Sequence, residues 1–524
     1  MTNDLQIAAR KVASRNPATL EVLREFECAG EAVIREAVSR AQNAQAAWSR
    51  LGLRKRIFVL REFQRLLHGR QAQVARLITH EVGKPIAEAV ATEILVVLDA
   101  VRFLVENSYQ CLRDEQLPHG SVAMKAKTGQ IVREPYGVIG IISPWNYPFS
   151  IPATEGLAAL AAGNAVVLKP SEWSSLVALE LASLLHQAGV PENVFQVFPG
   201  DGATGEALTK APIDKLIFTG SAATGRRIAQ VAGSRLLPVV LELGGKDPML
   251  VLEDANVEVA SSGAVWGGFV NAGQACLSVE RCYVHRRLYE PFLGACVRKT
   301  LQLRVGNGLN PETDVGPLIH ERQVRVVDEH VQDALIHGAR VLAGGHALPE
   351  LGPNFFAPTV LADVTHEMRI MREETFGPVL PVMAFEREEE AIQLANDSDY
   401  GLGASVWARD RRRGERVARQ IQAGAVMVND AVSCFGIAEA PHGGMKASGL
   451  GRSHGRFGLE EMVRVKYVDS DRLPGLRKVW WYGYGEAFGR QMAAFLDLQF
   501  ARSVVDRMKG ALRSARLLSR KGKL

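Results

Sequence analysis

Apolar residues recur at helical spacing over 31–48 and 53–80. The second stretch carries Ile57, Leu60, Phe63, Leu66 and Leu67 on one face, and Gly83-Lys84-Pro85 stops it. A further helix, rich in Ala, Val and Leu, is predicted over 86–112. The period then falls to two. Residues 124–128 alternate and 131–137 continue extended, which predicts a ribbon lying outside the main core and suited to a subunit contact. From Val138 onward short, wholly apolar strands are predicted at 138–142, 165–168, 194–197, 216–218 and 239–243. Helical stretches at 176–188 and 226–232 lie between them. Such strands alternating with helices indicate a parallel sheet covered on both faces. After Asp247 a second α/β unit is predicted, with helices near 257–270, 288–301 and 322–337. Its strands lie near 282–284, 360–361, 404–406 and 424–429.

Composition limits the choices. At 524 residues the chain needs two or three domains, and 47% hydrophobic with 23% charged residues fits a globular protein. The six cysteines form no C-x-x-C pair, which argues against a disulfide framework or structural zinc and fits a reducing, cytoplasmic setting. Met1-Thr2-Asn3-Asp4 begins no secretory signal, and no run of 18 apolar residues suggests a spanning helix. The net charge of +5 is uneven: residues 471–524 hold 12 of the 62 Lys/Arg but only 4 of the 57 Asp/Glu. The basic excess belongs to the tail, so the body gives no sign of nucleic-acid binding.

The chemistry concentrates between Leu241 and Cys276. Glu242 stands between two leucines, where a carboxyl holds its proton near neutral pH and can act as a base. Cys276 follows 34 residues later in the loop Asn271-Ala272-Gly273-Gln274-Ala275-Cys276, which leaves room for a substrate to approach the sulfur. Phe218-Thr219-Gly220-Ser221-Ala222-Ala223-Thr224-Gly225 is a strand entering a helix through a Gly-Ser turn, either a pyrophosphate cradle or a tight packing turn. Lys169-Pro170-Ser171-Glu172 offers groups for ribose hydroxyls, or a helix start with Ser171 as N-cap. In Ser143-Pro144-Trp145-Asn146-Tyr147-Pro148, two prolines bracket an amide that a rigid turn can aim as a donor.

These stretches, with Gly273-Gln274-Ala275-Cys276, Glu374-Thr375-Phe376-Gly377-Pro378 and Pro441-His442-Gly443-Gly444-Met445-Lys446-Ala447-Ser448-Gly449, resemble the aldehyde dehydrogenase superfamily from Asn16 to Val468, in the family's order. The resemblance implies an α/β fold: a Rossmann-like parallel-sheet cofactor domain (1–112 and 135–244) and a second α/β catalytic domain (245–445). A small β oligomerisation ribbon with a pocket loop (113–134 and 446–470) and a basic amphipathic tail (471–524) complete it.

The resemblance further implies oxidation of an aldehyde to the acid with reduction of NAD(P). Cys276 is then the nucleophile, passing through a thiohemiacetal and a thioester. Asn146 and the Cys276 N–H hold the oxyanion, and Glu242 activates the hydrolytic water. Trp145, Lys169, Ser171, Glu172, Gly220, Ser221, Gly225, Leu243, Glu374 and Phe376 are expected to bind the cofactor, and no metal is implied. Glu374 could instead merely cap a neighbour. Glu172 can bond a 2′-hydroxyl but repels a 2′-phosphate, so NAD is expected, with NADP as the alternative. A dimer or tetramer of identical chains is expected. The alternatives in function are a coenzyme A-acylating semialdehyde dehydrogenase, which has no need of Glu242 as a water activator, and a catalytically silent binding protein.

No cation follows the Pro-Trp-Asn motif in Phe149-Ser150-Ile151-Pro152-Ala153-Thr154-Glu155, which disfavours an anionic aldehyde. In 474–524, aromatic Trp480, Trp481, Tyr482 and Tyr484 precede a helical run with Phe488, Met492, Phe495, Leu496, Val504, Val505 and Met508. This resembles the extensions of fatty-aldehyde-oxidising relatives. Two fates fit it: peripheral contact with a membrane surface, or packing on the subunit or its partner.

Overall fold

A computed structural model describes residues 10–121, 124–475, 478 and 480–518. The leader reading at Met1–Asp4, ribbon residues 122–123, and tail residues 476, 477, 479 and 519–524 lie outside the described residues. The chain divides into one unit of Met1–Leu112 with Pro135–Val463 and another of Arg113–Glu134 with Arg464–Leu524.

The first unit holds a two-stranded antiparallel sheet, Lys11–Arg15 with Val22–Glu27, and two large sheets, each over its own apolar core. The six-stranded sheet runs in the order Gly449–Leu450, Val239–Glu242, Lys215–Thr219, Val138–Ile142, Ala165–Lys169, Phe195–Val197, and is parallel except for its first strand. Its central strands are buried along their length, hence their unbroken apolar sequence. The seven-stranded sheet runs Arg340–Ala343, Thr359–Ala362, Val379–Phe385, Val279–His285, Asp247–Val251, Gly403–Trp407, Ala425–Val428, with only Arg340–Ala343 antiparallel. The chain crosses from one sheet to the other at Leu243–Lys246, between strands Val239–Glu242 and Asp247–Val251.

Several boundaries differ from the sequence reading. The helix expected over 53–80 is two, Leu53–Gly69 and Gln71–Val82, interrupted where Gly69, a weak helix former, meets Arg70 at φ −113°. The helix expected over 86–112 contains a π turn, Val90–Ile94, which a hydrophobic period does not reveal. Residues 124–126 form turns, and the ribbon strand starts at Lys127. Ser171 caps no helix; the helix begins at Ser175 behind Ser174. The strand Asp247–Val251, though an apolar run after its first residue, and the helix Ser150–Ala162 are absent from the sequence reading. That helix is buried nearly all round and so lacks a polar face.

Three glutamates from 71–94 secure the parts around the later loops. Glu81 accepts the Leu176 and Val177 N–H groups at 2.8 Å each, at the start of one helix. Glu93 Oε2 accepts those of Phe149 and Ser150, while its Oε1 meets Lys84 Nζ at 2.6 Å, both side chains being fully buried. Glu88 accepts the Asn271 N–H at 2.9 Å. The π turn thus brings a buried carboxylate under the Trp145–Pro148 loop.

In the second unit Val463–Asp471, Lys127–Pro135 and Glu115–Leu117 make a three-stranded sheet in that order. Lys127 pairs with Asp469, and Lys466 with Glu134. The tail's expected single helical run is two helices, Glu486–Phe500 and Val504–Leu518, packed on each other. No described helix is long and apolar enough to cross a membrane.

Candidate active site

Glu242 ends its strand, and Cys276 follows a tightly constrained turn. Asn271, Ala272 and Gly273 have φ of 53°, 55° and 73° in succession. Two non-glycine residues in the left-handed region cost roughly 1–3 kcal/mol each, so the surroundings must impose the turn. Glu88 holds the Asn271 N–H, Asn271 Nδ2 donates to the Asn146 carbonyl at 2.9 Å, and Gln274 Oε1 accepts from the Ile319 N–H at 2.9 Å. A Cβ on Gly273 would overlap the Gly377 carbonyl, so only glycine fits there.

Two cavities meet at this turn. One, of about 240 Å³, is walled by apolar Val96, Ile151, Trp266, Val270, Leu277 and Phe435, and among the described residues neither Lys nor Arg lines it. The other, of about 270 Å³, is lined by Trp145, Asn146, Gly220, Ser221, Glu374 and Phe376. Cys276, Glu242 and Leu243 border both.

The electrostatics are those of a dry pocket. Burial, reinforced by Asp247, Glu374 and Glu242, pushes the Cys276 thiol well above its ordinary range. Burial and then the neighbouring Glu155 raise Glu242 likewise. Ser453 Oγ donates to Glu242 Oε1 at 3.3 Å, and His442 Nε2 lies 3.8 Å from Oε2. His442 is pushed down to about 3, chiefly by burial, and so faces Glu242 as a neutral ring. Glu374 accepts the Gly245 N–H at 3.0 Å; burial and Glu280 raise it to about 8.

The fold thus gathers Trp145, Asn146, Gly220, Ser221, Glu242, Leu243, Cys276, Glu374 and Phe376 around one cleft. Lys169, Ser171, Glu172 and Gly225 are not in its wall. Lys169 Nζ lies 3.6 Å from the Glu172 carboxylate at the end of the neighbouring strand. His320 bridges the two places, its ring 6.3 Å from Trp145 and 5.1 Å from Trp173. Gly225 packs the helix Ala222–Ser234 against Leu243, and Ser221 is that helix's N-cap, accepting from the Thr224 N–H.

The aldehyde dehydrogenase family model matches residues 6–468, most of the chain. The chain belongs to the aldehyde dehydrogenase family. It is 39% identical over 491 residues to a 4,4′-diapolycopene aldehyde oxidase of Methylomonas sp, covering 93% of this chain and 91% of the relative. It is 38% identical to an NADP(+) succinate-semialdehyde dehydrogenase of Escherichia coli, covering 86% and 93%. A solved NAD+ complex of an aldehyde dehydrogenase from Bacillus cereus superposes with a TM-score of 0.84 at 36% identity, covering 88% and 93%. NAD(P)-dependent aldehyde oxidation is therefore the activity of this dehydrogenase.

Its own groups fit a dinucleotide. The cleft is lined by Gly220 and Ser221 at the start of the helix Ala222–Ser234, where backbone N–H groups suit a pyrophosphate, while the Glu374 carboxyl in its wall suits a ribose hydroxyl. The sequence reading missed the residue that shapes the far wall. Glu280, buried, pairs with Lys246 and accepts the Thr375 and Phe376 N–H groups at 2.8 and 2.9 Å, fixing the Glu374–Phe376 loop. The signal was present, since Glu280-Arg281 puts two charges inside an otherwise apolar strand. Thr219 and His442 lie within motifs of the sequence reading but were given no role, and no local pattern marks Gln323 or Ser453. Among the described residues no group of three His, Cys, Asp or Glu could hold a metal.

Proposed function

We propose that Cys276 is the nucleophile, Glu242 the base and Asn146 an oxyanion donor in the oxidation of an uncharged aldehyde. The observation that carries this is the position of Cys276 and Glu242 in the wall shared by an apolar cavity and the cleft lined by Trp145, Ser221, Glu374 and Phe376. The thiol is held protonated, so it needs a base before it attacks, and Glu242, which in its ionised form can take that proton, borders both cavities together with Cys276. Attack on the carbonyl leaves an oxyanion, which Asn146 and the Cys276 N–H receive. The bound nicotinamide supplies the hydride acceptor. Once the thiol's proton has left Glu242 for solvent, Glu242 takes a proton from the water that hydrolyses the Cys276 thioester.

An aldehyde with an aliphatic or aromatic body suits a cavity without a cation, because a buried carboxylate without a partner is costly. The relatives are named for both kinds of substrate, diapolycopene aldehyde in Methylomonas and succinate semialdehyde in Escherichia coli, so the cavity lining carries the assignment. A panel of alkanals, benzaldehyde and succinic semialdehyde, read by absorbance of the reduced cofactor, tests this. The uncharged aldehydes should exceed the semialdehyde in kcat/KM by more than roughly tenfold; the reverse order overturns the assignment.

For the cofactor, Glu172 supports NAD over NADP. For assembly, the edge strand Val463–Asp471 exposes Val465, Tyr467 and Val468 and supports pairing with a second copy in a dimer or tetramer. For the tail, the helix Val504–Leu518 exposes Val504, Met508 and Leu512 at i, i+4 and i+8 with Arg507, Lys509 and Arg513 beside them. That pattern supports peripheral contact with an anionic lipid surface.

A further inference from the structure

The inner end of the apolar cavity holds more polar groups than the proposed chemistry at Cys276 uses. Glu155, from the helix Ser150–Ala162, is 4% exposed and lines the same cavity as Glu242. Its Oε1 accepts from Thr219 Oγ1 at 3.2 Å, and its Oε2 has no hydrogen-bond partner. Glu242 Oε2 and His454 Nδ1 are also without partners, while His454 Nε2 lies 3.2 Å from Thr154 Oγ1. Unpaired buried polar atoms are costly, and three on one wall call for a polar occupant.

Behind this wall lies a second, small cavity of about 30 Å³. Thr154, Glu155, Ser453 and His454 line it among apolar Phe103 and Leu459, and the same four residues border the large cavity. The space exceeds the ~10–15 Å³ a water requires, and four polar residues can supply its two to four partners.

The hydrolytic step creates the need. Water's oxygen bonds to the thioester carbon as one of its O–H bonds breaks; the C–S bond then breaks, its electron pair going to sulfur. The released proton is left on Glu242, itself 4% exposed. Around it stand Glu155, His442, His454 and Arg452. Burial holds both histidines neutral, at about 3 and about 4, and a guanidinium accepts no proton. Of these neighbours Glu155, once ionised, can accept the proton and lead it away from the newly released Cys276 sulfur.

We propose that Glu155, together with water held in the small cavity beside His454, takes the proton from Glu242 and passes it away from Cys276. The inference rests on Glu242 as the base. Glu155 acts through Glu242 and is a positioning residue for proton release.

Glu155→Gln keeps the shape and removes the acceptor. Rapid-mix kinetics should then show one equivalent of reduced cofactor formed per site, followed by a steady-state rate lowered by roughly tenfold or more. The wild-type kcat should rise with pH through about 8, where Glu155 ionises, and the variant should lose that rise. Glu155→Asp should restore it in part. Wild-type kcat and pH profile in Glu155→Gln overturn the relay and leave Glu242 untouched. Unchanged turnover in Glu242→Gln overturns the base assignment instead. If Glu155→Gln forms no first equivalent, His454→Asn takes its place with the same expectations, and failure of both overturns the proposal.

Discussion

The side-chain amides of Asn146 and Asn271 donate to a single acceptor, the Gln274 carbonyl, each at 3.1 Å. The Asn271 amide also reaches the Asn146 carbonyl, so the strained turn before Cys276 and the Pro-Trp-Asn loop are fastened to each other. One N–H of Asn146 is thereby committed and the amide plane fixed, leaving the second N–H for an oxyanion. Replacing Asn146 by Ala should lower kcat by about 10²–10³-fold with KM little changed. Asn271→Ala should lower kcat less and lower Tm as well, because it also releases the left-handed turn. Steady-state kinetics with thermal melts separate the two effects, and wild-type kcat in Asn146→Ala removes it from the oxyanion site.

Glu280 neutralises Lys246 and holds two loop N–H groups, so its loss should act on both stability and cofactor binding. Glu280→Gln leaves a buried ammonium uncompensated, a change that typically costs about 3–5 kcal/mol. Urea unfolding should show that loss. Fluorescence titration should show weaker NAD(P) binding, as the Glu374–Phe376 loop loosens. Unaltered cofactor affinity would restrict Glu280 to a structural role.

What was legible in the sequence follows physical lines. The five parallel strands of the six-stranded sheet are largely buried, so each shows as a short, mostly apolar run in the sequence; Gly449–Leu450, two residues long and exposed at Leu450, does not. Helix Ser150–Ala162 is buried nearly all round, so no period betrays it, and the apolar face that runs on past Gly69 hides the break at Arg70. In the site, the residues that sit in distinctive local patterns were visible: Asn146 between prolines, Glu242 between leucines, Cys276 after a glycine turn. Glu155 and Ser453 were not, because each takes its place from a partner 64 or more residues away, and the charge of Glu280 within its strand gave no hint of the loop it holds. Only the folded chain brings such groups together.

Glu172 should govern the choice of cofactor. Its carboxylate stands beside the buried Lys169 ammonium, where a 2′-phosphate would meet like charge. Glu172→Ser should raise kcat/KM for NADP relative to NAD by roughly tenfold or more, leaving Lys169 free to meet the phosphate. If the ratio is unchanged, Glu172 does not read the 2′ position.

Stability should be greatest in mildly acidic solution. Burial raises Glu81 and Glu88 to about 7 and Glu155 and Glu374 to about 8, from 4.5. The folded state then binds more protons than the unfolded one, so this contribution is complete below about 4.5 and is lost as pH rises through 7 to 8. His442 and His454 act oppositely, their contribution being present above 6.5 and lost as pH falls through about 4 to 3. Tm should therefore peak between about 4.5 and 6.5 and decline by pH 8. Glu88→Gln, which keeps an acceptor for the Asn271 N–H, should soften the alkaline decline; a Tm still climbing from pH 6 to 8 contradicts this reading.

The tail gives the last prediction. Leu496 and Phe500 of one helix and Val504, Val505, Met508 and Leu512 of the next are exposed, an apolar surface that a free helical hairpin would cover. Basic side chains flank it, and each adds about 1 kcal/mol near an anionic leaflet, an attraction that salt screens. The full chain should therefore co-sediment with phosphatidylserine vesicles, bind phosphatidylcholine vesicles less, and release partly at high salt. A chain ending at residue 473 should do none of these while retaining turnover of soluble aldehydes. Equal sedimentation of both chains places the lipid contact elsewhere. Loss of oligomer size in the shortened chain, with no lipid binding by either, makes the hairpin a subunit contact instead.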